Sequence, residues 1–265
     1  MNNPINVQNL DFSYNKRKIL KNIDIDFEKG KVYGITGPNG SGKSTFLKNI
    51  ASLLEPQKKK VYVKGTDITE YSLKNLAKTI AFVPQNTAID FEFTVEDIVH
   101  MGRSPYTKKF GTETHEDTKI CNEAMEITGT YKFKDRSIKQ ISGGEMQRVI
   151  IARALSQSTQ ILLLDEPVSQ LDIHHQLAIM ETLQKLAKEK NIMVVCVLHD
   201  LNLAAEFCDE VVLLNEGQIF AKDTPEKVFT YTNIEEVYKV ICLVNQNPVS
   251  GKPHVILVKS GTNNE

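Results

Sequence analysis

The amino-acid sequence predicts an α/β fold whose core is a doubly wound sheet of mainly parallel strands. Short runs rich in leucine and β-branched residues recur between helical stretches at residues 161–164, 193–198 and 211–214. Such uninterrupted apolar runs are typical of parallel strands that helices cover on both faces. The chain has 265 residues, of which 41% are hydrophobic, which is enough for one large domain with a subdomain or for two small domains.

The N-terminal part of the chain is predicted to form strands around one helix. Residues 6–13 and 31–36 are predicted strands, and residues 58–63 add a third strand after the first helix. We expect these strands to form a mixed sheet. The helix is indicated by apolar side chains that recur on one face at helical spacing, namely Phe46, Leu47, Ile50, Leu53 and Leu54.

The middle and the end of the chain differ from this core. Residues 94–156 have helical periodicity, charged faces and few strand signals, which predicts a helical insertion. Near the end, residues 233–239 are a predicted helix, and residues 240–244 and 254–258 flank a turn-rich stretch that predicts a hairpin. The single domain therefore divides into three parts. The core comprises residues 1–93 and 157–230, the insertion residues 94–156, and the C-terminal extension residues 231–265.

Composition and charge exclude several classes of protein. The formal net charge is −1, from 32 basic and 33 acidic side chains, so no bulk charge favours nucleic acid as a partner. The N-terminus lacks a secretory pattern, and the apolar run at residues 192–198 is too short to span a membrane, so we expect a soluble protein. The scattered cysteines favour a reduced compartment and small buried apolar residues over disulfides or a zinc site. They are Cys121, Cys196, Cys208 and Cys242.

A glycine-rich loop between a predicted strand and a helix fits the phosphate-binding pattern G-x-x-x-x-G-K-[S/T]. Glycines let backbone amides approach an anion, and the following helix points its N-terminal amides at it. In this pattern Lys43 reaches the β and γ phosphates of ATP, and the Ser44 hydroxyl is a ligand of Mg²⁺. The alternative is a glycine-rich turn that binds nothing. The predicted loop consists of Gly37, Pro38, Asn39, Gly40, Ser41, Gly42, Lys43, Ser44 and Thr45.

Further side chains that suit phosphate chemistry lie at the ends of other predicted strands. Asp165 and Glu166 end an apolar run, where Asp165 would serve Mg²⁺ and Glu166 would polarise the attacking water. His199 follows the next strand, where its imidazole could sense the γ-phosphate, and Gln85 could place its amide near Mg²⁺ and the water. Tyr14 could stack on adenine or simply pack in its strand. Taken singly, each of these residues also has an ordinary structural explanation.

A second glycine motif, Ser142-Gly143-Gly144-Glu145, lies between these sites. Serine is a good helix cap, and the two glycines again let backbone amides approach an anion. The motifs, in this order, resemble the nucleotide-binding domain of the ATP-binding cassette family across nearly the whole chain. The resemblance implies that the second motif binds the γ-phosphate of an ATP molecule held by another copy of the chain.

The resemblance also implies a fold and a set of roles. The fold is a P-loop NTPase core of the RecA-like type, with an antiparallel β subdomain and an inserted helical subdomain. The sequence departs from the usual motifs at Ile141, Val168 and Gln170, and Gln170 lies where the two copies should meet. The implied roles are catalysis by Glu166, His199, Gln85 and Lys43, Mg²⁺ ligation by Ser44, Gln85 and Asp165, adenine stacking by Tyr14, and contact between copies at Asp172.

A narrower resemblance rests on residues 94–106 and 251–256, which are similar to importer ATPases that serve iron-siderophore, haem and vitamin B12 permeases. It implies a homodimer on the cytoplasmic face of the inner membrane, bound to permease subunits and through them to a substrate-binding protein. It implies no contact with nucleic acid or with the transported substrate. Within the first segment, we expect Val99 and Met101 to contact the permease.

Other functions remain open at this point. An exporter subunit or a metal-ion importer would carry the same motifs. A DNA-repair member of the family would need a long coiled coil between Gln85 and Ser142, where only 56 residues stand, and a translation factor would usually have two cassettes. A scaffold with a degenerate site is disfavoured because all catalytic candidates are present. A metal site at His174 and His175 is disfavoured because neighbouring residues on a helix point apart.

Overall fold

The computed structural model of the protein describes residues 3–85, 91–107 and 114–258. Parts of the core, insertion and extension that the sequence predicts lie outside the described residues, at 1–2, 86–90, 108–113 and 259–265. The α/β fold class is confirmed. Within the described ranges, helices pack around a six-stranded sheet, and a four-stranded and a two-stranded sheet accompany it.

The six-stranded sheet forms the centre of the molecule. Its strands are β3 (Val32–Thr36), β6 (Ile80–Val83), β7 (Ile161–Asp165), β8 (Met193–Val197), β9 (Glu210–Asn215) and β10 (Gln218–Asp223). Their order is β10-β9-β3-β8-β7-β6, and every neighbouring pair is parallel except β9 with β10. Strands β3, β7 and β8 are buried at every position, which confirms the predicted parallel core.

The N-terminal sheet is antiparallel throughout, so the expected mixed sheet is wrong. Its strands are β1 (Ile5–Tyr14), β2 (Arg17–Phe27), β4 (Val61–Val63) and β5 (Thr66–Asp67), in the order β2-β1-β4-β5. The reason is that β3, which is buried along its whole length, pairs in parallel with β8 and β9 inside the central sheet and not with β1. By contrast, β1 and β2 each leave several residues exposed. The sequence signals had not predicted β2.

Helices cover the sheets and fill the predicted insertion. They are α1 (Lys43–Ile50), α2 (Leu73–Ala77), α3 (Val95–His100), α4 (His115–Ile127), α5 (Gly143–Ser156), α6 (Ile173–Lys190), α7 (Leu201–Phe207), α8 (Pro225–Val228) and α9 (Tyr231–Tyr238). The three helices of residues 94–156 each begin with a capping box, in which the cap hydroxyl and an acidic side chain three residues later bond each other's backbone N–H. Local sequence therefore sets where these helices start. Their caps are Thr94, Thr114 and Ser142.

The turn after α3 packs tightly against α5. A Cβ on Gly102 would lie 2.2 Å from the carbonyl oxygen of Arg153, so a larger residue would displace backbone. Arg103 is almost completely buried, and it donates from Nε to Asp117 Oδ1 at 2.8 Å and from Nη1 to the Ser156 carbonyl at 2.8 Å. These charge-assisted bonds tie α4 and α5 to the same turn.

Gln157 links the end of α5 to the central sheet. Its Nε2 donates to the Ile80 carbonyl oxygen in β6 at 2.9 Å, and it also bonds the Ala77 carbonyl. Strand β6 leads into Gln85 after two further steps along the chain. The helix that begins at Ser142 is therefore joined at its far end to the strand that precedes Gln85.

The C-terminal extension consists of α8, α9 and a hairpin of β11 (Cys242–Gln246) and β12 (Pro253–Leu257). The two strands pair antiparallel, so the predicted terminal helix and hairpin are confirmed with bounds shifted by one or two residues. All the cysteines are buried and free, as expected. No helix within the described ranges has both the length and the apolar character that a membrane crossing requires.

Val99 and Met101 differ in burial, which corrects the expectation that both contact a partner. Val99 is fully buried among the core residues of the insertion, whereas Met101 is 38% exposed. Val99→Asp should destabilise the protein by roughly 4 kcal/mol, because it buries an unpaired charge. Met101→Asp should change stability by less than about 1 kcal/mol. Urea unfolding followed by circular dichroism measures both, and equal stabilities would contradict this assignment of Val99 to the core.

Candidate active site

The glycine-rich loop joins β3 to α1 in a conformation that requires glycine. Gly37, Gly40 and Gly42 have φ values of 142°, 81° and 101°, and a Cβ on Gly37 would lie 2.1 Å from the Leu214 carbonyl oxygen. Gly42 is also the N-cap of α1, and no side chain caps this helix. The first amides of α1 are therefore left for another acceptor, at the end of the helix that favours an anion.

Lys43 is held inside this loop. Its Nζ donates to the Gly37 carbonyl oxygen at 2.8 Å and to the Pro38 carbonyl oxygen at 2.9 Å, and the side chain is largely buried. Burial lowers the pKa of Lys43, although the Glu166 and Asp165 carboxylates oppose that effect. The ammonium group is thus fixed by backbone carbonyls at the centre of the loop.

Ser44 and Asp165 form an oxygen pair next to the loop. Ser44 Oγ donates to Asp165 Oδ1 at 2.8 Å, and Asp165 is 1% exposed. Burial raises the pKa of Asp165, while its bond with Ser44 opposes that shift. A desolvated carboxylate beside a hydroxyl is the donor set that a hard divalent cation such as Mg²⁺ prefers, so these residues fit the predicted metal.

Glu166 is contacted by two other residues from the predicted catalytic set. Gln85 Nε2 donates to Glu166 Oε2 at 2.7 Å, and His199 Nε2 lies 2.6 Å from Glu166 Oε1. Glu166 has a φ of 53°, an uncommon backbone conformation for a non-glycine residue, directly after β7. Segments that are far apart in sequence therefore converge on this one carboxylate.

A cavity of about 320 Å³ brings most of these side chains together. Its lining residues are Arg17, Ile19, Asn39, Gly40, Gly42, Lys43, Ser44, Thr45, Glu166 and His199. Tyr14 is not among them, but it pairs directly with Arg17 across the β1–β2 hairpin and is 46% exposed. Arg17 and Ile19 escaped the sequence predictions, and a prediction of this hairpin would have found them beside Tyr14.

The second glycine motif lines a separate cavity of about 350 Å³. This cavity is formed by Ser142, Gly144, Glu145, Arg148, Gln170, Leu171, Asp172 and His175, none of which lines the first cavity. The Glu145 carboxylate accepts from the backbone N–H and the hydroxyl of Ser142, both at 2.9 Å, which lowers the pKa of Glu145. Glu145 thus forms part of the N-terminal capping box of α5 in its own chain.

Asp172 begins helix α6 beside this cavity. Its Oδ1 accepts from the His175 backbone N–H at 3.0 Å, and its Oδ2 lies 2.8 Å from His175 Nδ1. Both contacts lower the pKa of Asp172. Within the described part of the chain, no group of three or more candidate metal ligands surrounds His174 and His175.

Tyr238 is a residue near the phosphate loop that the sequence did not reveal. It lies on α9, and its hydroxyl is placed beside the Gly37 backbone N–H and the Thr36 side chain. Burial raises the pKa of Tyr238 to about 12. The C-terminal extension therefore reaches the start of the glycine-rich loop, a contact that no local motif signals.

A family model described as ABC transporter matches residues 20–169, a span that covers more than half of the chain and contains the glycine-rich loop and the Ser142 motif. The chain belongs to the ABC transporter family. The matched span of this ABC transporter chain supplies part of the lining of each of the two cavities.

Relatives of this ABC transporter chain extend the match to nearly its whole length. It is 39% identical over 247 residues to the cobalamin import ATP-binding protein of Halobacterium salinarum, covering 93% of this chain but only 62% of that protein. It is 36% identical over 249 residues to the ferric enterobactin transport ATP-binding protein of Escherichia coli, covering 94% and 92%. The iron(3+)-hydroxamate import ATP-binding protein of Bacillus subtilis is 37% identical over 251 residues, covering 95% and 93%.

Solved structures share the fold of this ABC transporter chain. A metal-chelate type ABC transporter in an inward-facing conformation contains a chain with a TM-score of 0.83 and 28% identity, covering 98% of both chains. A dimeric ATP-binding cassette in a post-hydrolysis state, bound to ADP and phosphate, has a TM-score of 0.73 and 29% identity, covering 83% of this chain and 98% of that one.

Proposed function

We propose that this ABC transporter chain binds and hydrolyses ATP as one of two identical subunits that drive a membrane permease. The observation that carries the proposal is the convergence on Glu166, whose two carboxylate oxygens contact Gln85 and His199 at 2.7 Å and 2.6 Å. The Ser44–Asp165 pair and the glycine-rich loop stand directly beside it. Phosphate binding, metal binding and general-base groups are therefore adjacent.

The loop would bind the phosphates of ATP. Its amides and the uncapped start of α1 suit an anion, and Lys43 would exchange its bonds to the Gly37 and Pro38 carbonyls for bonds to the β and γ phosphates. The adenine would lie on the side of the β1–β2 hairpin, near Tyr14 and Arg17. A bound Mg²⁺, held by Ser44, Asp165 and Gln85, would neutralise charge that develops on the phosphates.

Glu166 is the residue that we assign to water activation. As a carboxylate it would accept a proton from the water that attacks the γ-phosphate, and Gln85 would hold that carboxylate and the water in place. His199 already contacts the other carboxylate oxygen, so a γ-phosphate near its exposed ring could bond the imidazole in turn. These groups supply orientation and proton transfer.

The second cavity is the basis for proposing a pair of chains. Ser142, Gly144 and Asp172 line a pocket that contains none of the phosphate-loop residues. In a head-to-tail homodimer, the loop of one copy would face this pocket of the other, and each ATP molecule would lie between them. The dimeric cassette that shares this fold supports such an arrangement.

The relatives favour import of an iron chelate, haem or a cobalamin-like compound. Their names describe cobalamin, ferric enterobactin and iron(3+)-hydroxamate transport, and the chain matches two of them over more than nine tenths of both lengths. In this proposal the chain lies on the cytoplasmic face of the membrane and binds permease subunits. A substrate-binding protein delivers the cargo, and this chain contacts neither the cargo nor nucleic acid.

Two measurements test this function. The purified chain should release phosphate from ATP in the presence of Mg²⁺, and removal of the metal with EDTA should stop the reaction. A tagged chain should retain a permease from detergent-solubilised membranes, and Met101→Asp should reduce that co-purification while leaving hydrolysis by the isolated chain unchanged. Absence of ATP hydrolysis in the presence of Mg²⁺, both by the chain alone and by the chain bound to its permease, would refute the enzymatic part of the proposal, and labelled-substrate efflux instead of uptake would refute import.

A further inference from the structure

The C-terminal hairpin is fastened to α7, the helix that follows His199. Asn202 Nδ2 donates to the Val255 carbonyl oxygen at 3.2 Å, and the Val255 backbone N–H donates to Asn202 Oδ1 at 2.7 Å. One turn later, Glu206 accepts from the Ser250 hydroxyl at 2.7 Å. Both polar atoms of the Asn202 amide are therefore occupied by the backbone of β12.

Asn202 also belongs to the turn that holds His199. Its backbone N–H donates to Asp200 Oδ1 at 2.8 Å, and the Leu203 N–H donates to the same oxygen at 3.0 Å. Asp200 is the N-cap of α7 and directly follows His199 in the chain. The Val255 backbone is thus connected through Asn202 and Asp200 to the residue that contacts Glu166 at 2.6 Å.

Helix α7 depends on its surroundings for its position. It has only seven residues, too few to be stable as an isolated helix, so packing and side-chain bonds must fix it. Ala204, Ala205 and Phe207 are buried in the core, and Leu201 and Leu203 pack against it. Asn202 adds a polar attachment at the end nearest His199, and its loss would leave that end held only by partly buried leucines and its cap.

We propose that Asn202 is a positioning residue through which the C-terminal hairpin sets the place of His199, and thereby the geometry around Glu166. The inference rests on the proposed ATP hydrolysis and deepens it, because it gives the C-terminal extension a role in the same site. The extension also meets the other side of that site, where Tyr238 stands beside the Gly37 N–H. One structural unit therefore touches both the phosphate loop and the helix after His199.

The first test compares two alanine variants that loosen opposite ends of α7. Gln184 Nε2 donates to the Phe207 carbonyl oxygen at 2.8 Å, so Gln184→Ala removes an amide bond to the same helix far from His199. Asn202→Ala should lower kcat for ATP about tenfold. This is less than the roughly 100-fold loss of rate that a misplacement of about 1 Å can cause. Its KM for ATP should stay unchanged, because the phosphate loop is intact. Gln184→Ala should keep kcat within about twofold.

The second test is an isosteric change, Asn202→Asp. An ionised carboxylate accepts from the Val255 N–H but cannot donate to the Val255 carbonyl, whereas a protonated acid can do both. We expect this aspartate, at the start of α7 and beside the Val255 N–H, to be ionised at neutral pH. At about pH 7.5 the kcat of Asn202→Asp should therefore fall about as far as that of Asn202→Ala, although the side chain keeps the size of asparagine. A kcat equal to that of the wild type would contradict the proposed donor bond.

The outcomes separate the two proposals. If the wild type hydrolyses ATP and both alanine variants have the same kcat, the positioning role of Asn202 is wrong. If the wild type does not hydrolyse ATP, the proposed function fails, and the imidazole NMR signal of His199 still tests the geometry. That signal should shift in Asn202→Ala and stay in place in Gln184→Ala. An unshifted signal in both variants would overturn the inference.

Discussion

Glu166→Gln should lower the turnover of ATP by roughly 10²-fold to 10⁴-fold, the usual contribution of a positioned general base. A glutamine side chain has nearly the same shape and can still bond Gln85 and His199, but it cannot accept a proton from water. Binding of ATP should persist, because the Gly37–Lys43 contacts do not involve Glu166. Single-turnover phosphate release and fluorescence titration with a nucleotide analogue measure the two quantities separately.

A matched carboxylate controls for the loss of charge. Glu181 is an exposed residue in the middle of α6, outside both cavities, so Glu181→Gln should leave turnover within about twofold. Near-normal hydrolysis by Glu166→Gln would remove Glu166 from the role assigned to it. Equal losses in both variants would point to an effect of overall charge instead of general-base catalysis.

Ser142→Arg and Lys43→Ala should disable different ATP sites when they are placed in one chain of a covalently linked pair. Lys43 acts on the ATP of its own chain, whereas Ser142 lines the cavity that would receive the ATP of the partner. With both changes in one half, both composite sites are damaged. With one change in each half, both lesions fall on a single site, and the linked pair should trap one ATP instead of none. Nucleotide counted per linked pair gives the answer.

The loss of a helix cap needs its own control here. Removing Ser142 costs α5 its capping box, an effect of about 1 kcal/mol on stability. Thr94→Arg removes an equivalent capping box from α3 and introduces the same side chain outside both cavities. It should lower stability similarly and leave the nucleotide count unchanged. Identical counts for the two linked arrangements would rule out the head-to-tail pair.

The parts of the fold that sequence predicted are those where one local pattern determines the structure. Strands β7 and β8 are buried on both faces, so their apolar runs were unambiguous. Strand β2 was missed although residues 23–27 alternate buried apolar and exposed acidic side chains; a register shift in its pairing with β1 breaks that alternation only between Leu20 and Ile23. Val99 and Met101 stand two positions apart near the end of a short helix, so they point in different directions and cannot share one surface.

The residues of the candidate site also fall into two groups, those that a local motif predicts and those that only the tertiary structure brings to the site. Lys43, Ser44 and Asp165 lie in motifs whose spacing alone suggests their chemistry, and the structure brings them together. Their roles in binding and catalysis remain predictions. Tyr238 and Asn202 could not be found from sequence, because each approaches the site only after the C-terminal extension has packed against the core. Contacts of that kind depend on tertiary structure and have no signature in a short stretch of residues.

Helix α5 has a mechanical consequence that follows from its two ends. It begins at the Ser142 cap and is followed by Gln157, which is bonded to the Ile80 carbonyl of the central sheet. Its 14 residues make a rod about 21 Å long. If the rod tilts by about 5° at its anchored end, its tip moves by about 2 Å, which exceeds the tolerance of a hydrogen bond. A small rotation at β6, the strand that leads to Gln85, thus produces a larger displacement at the tip of α5. Conversely, a force applied to the tip exerts a torque on the sheet.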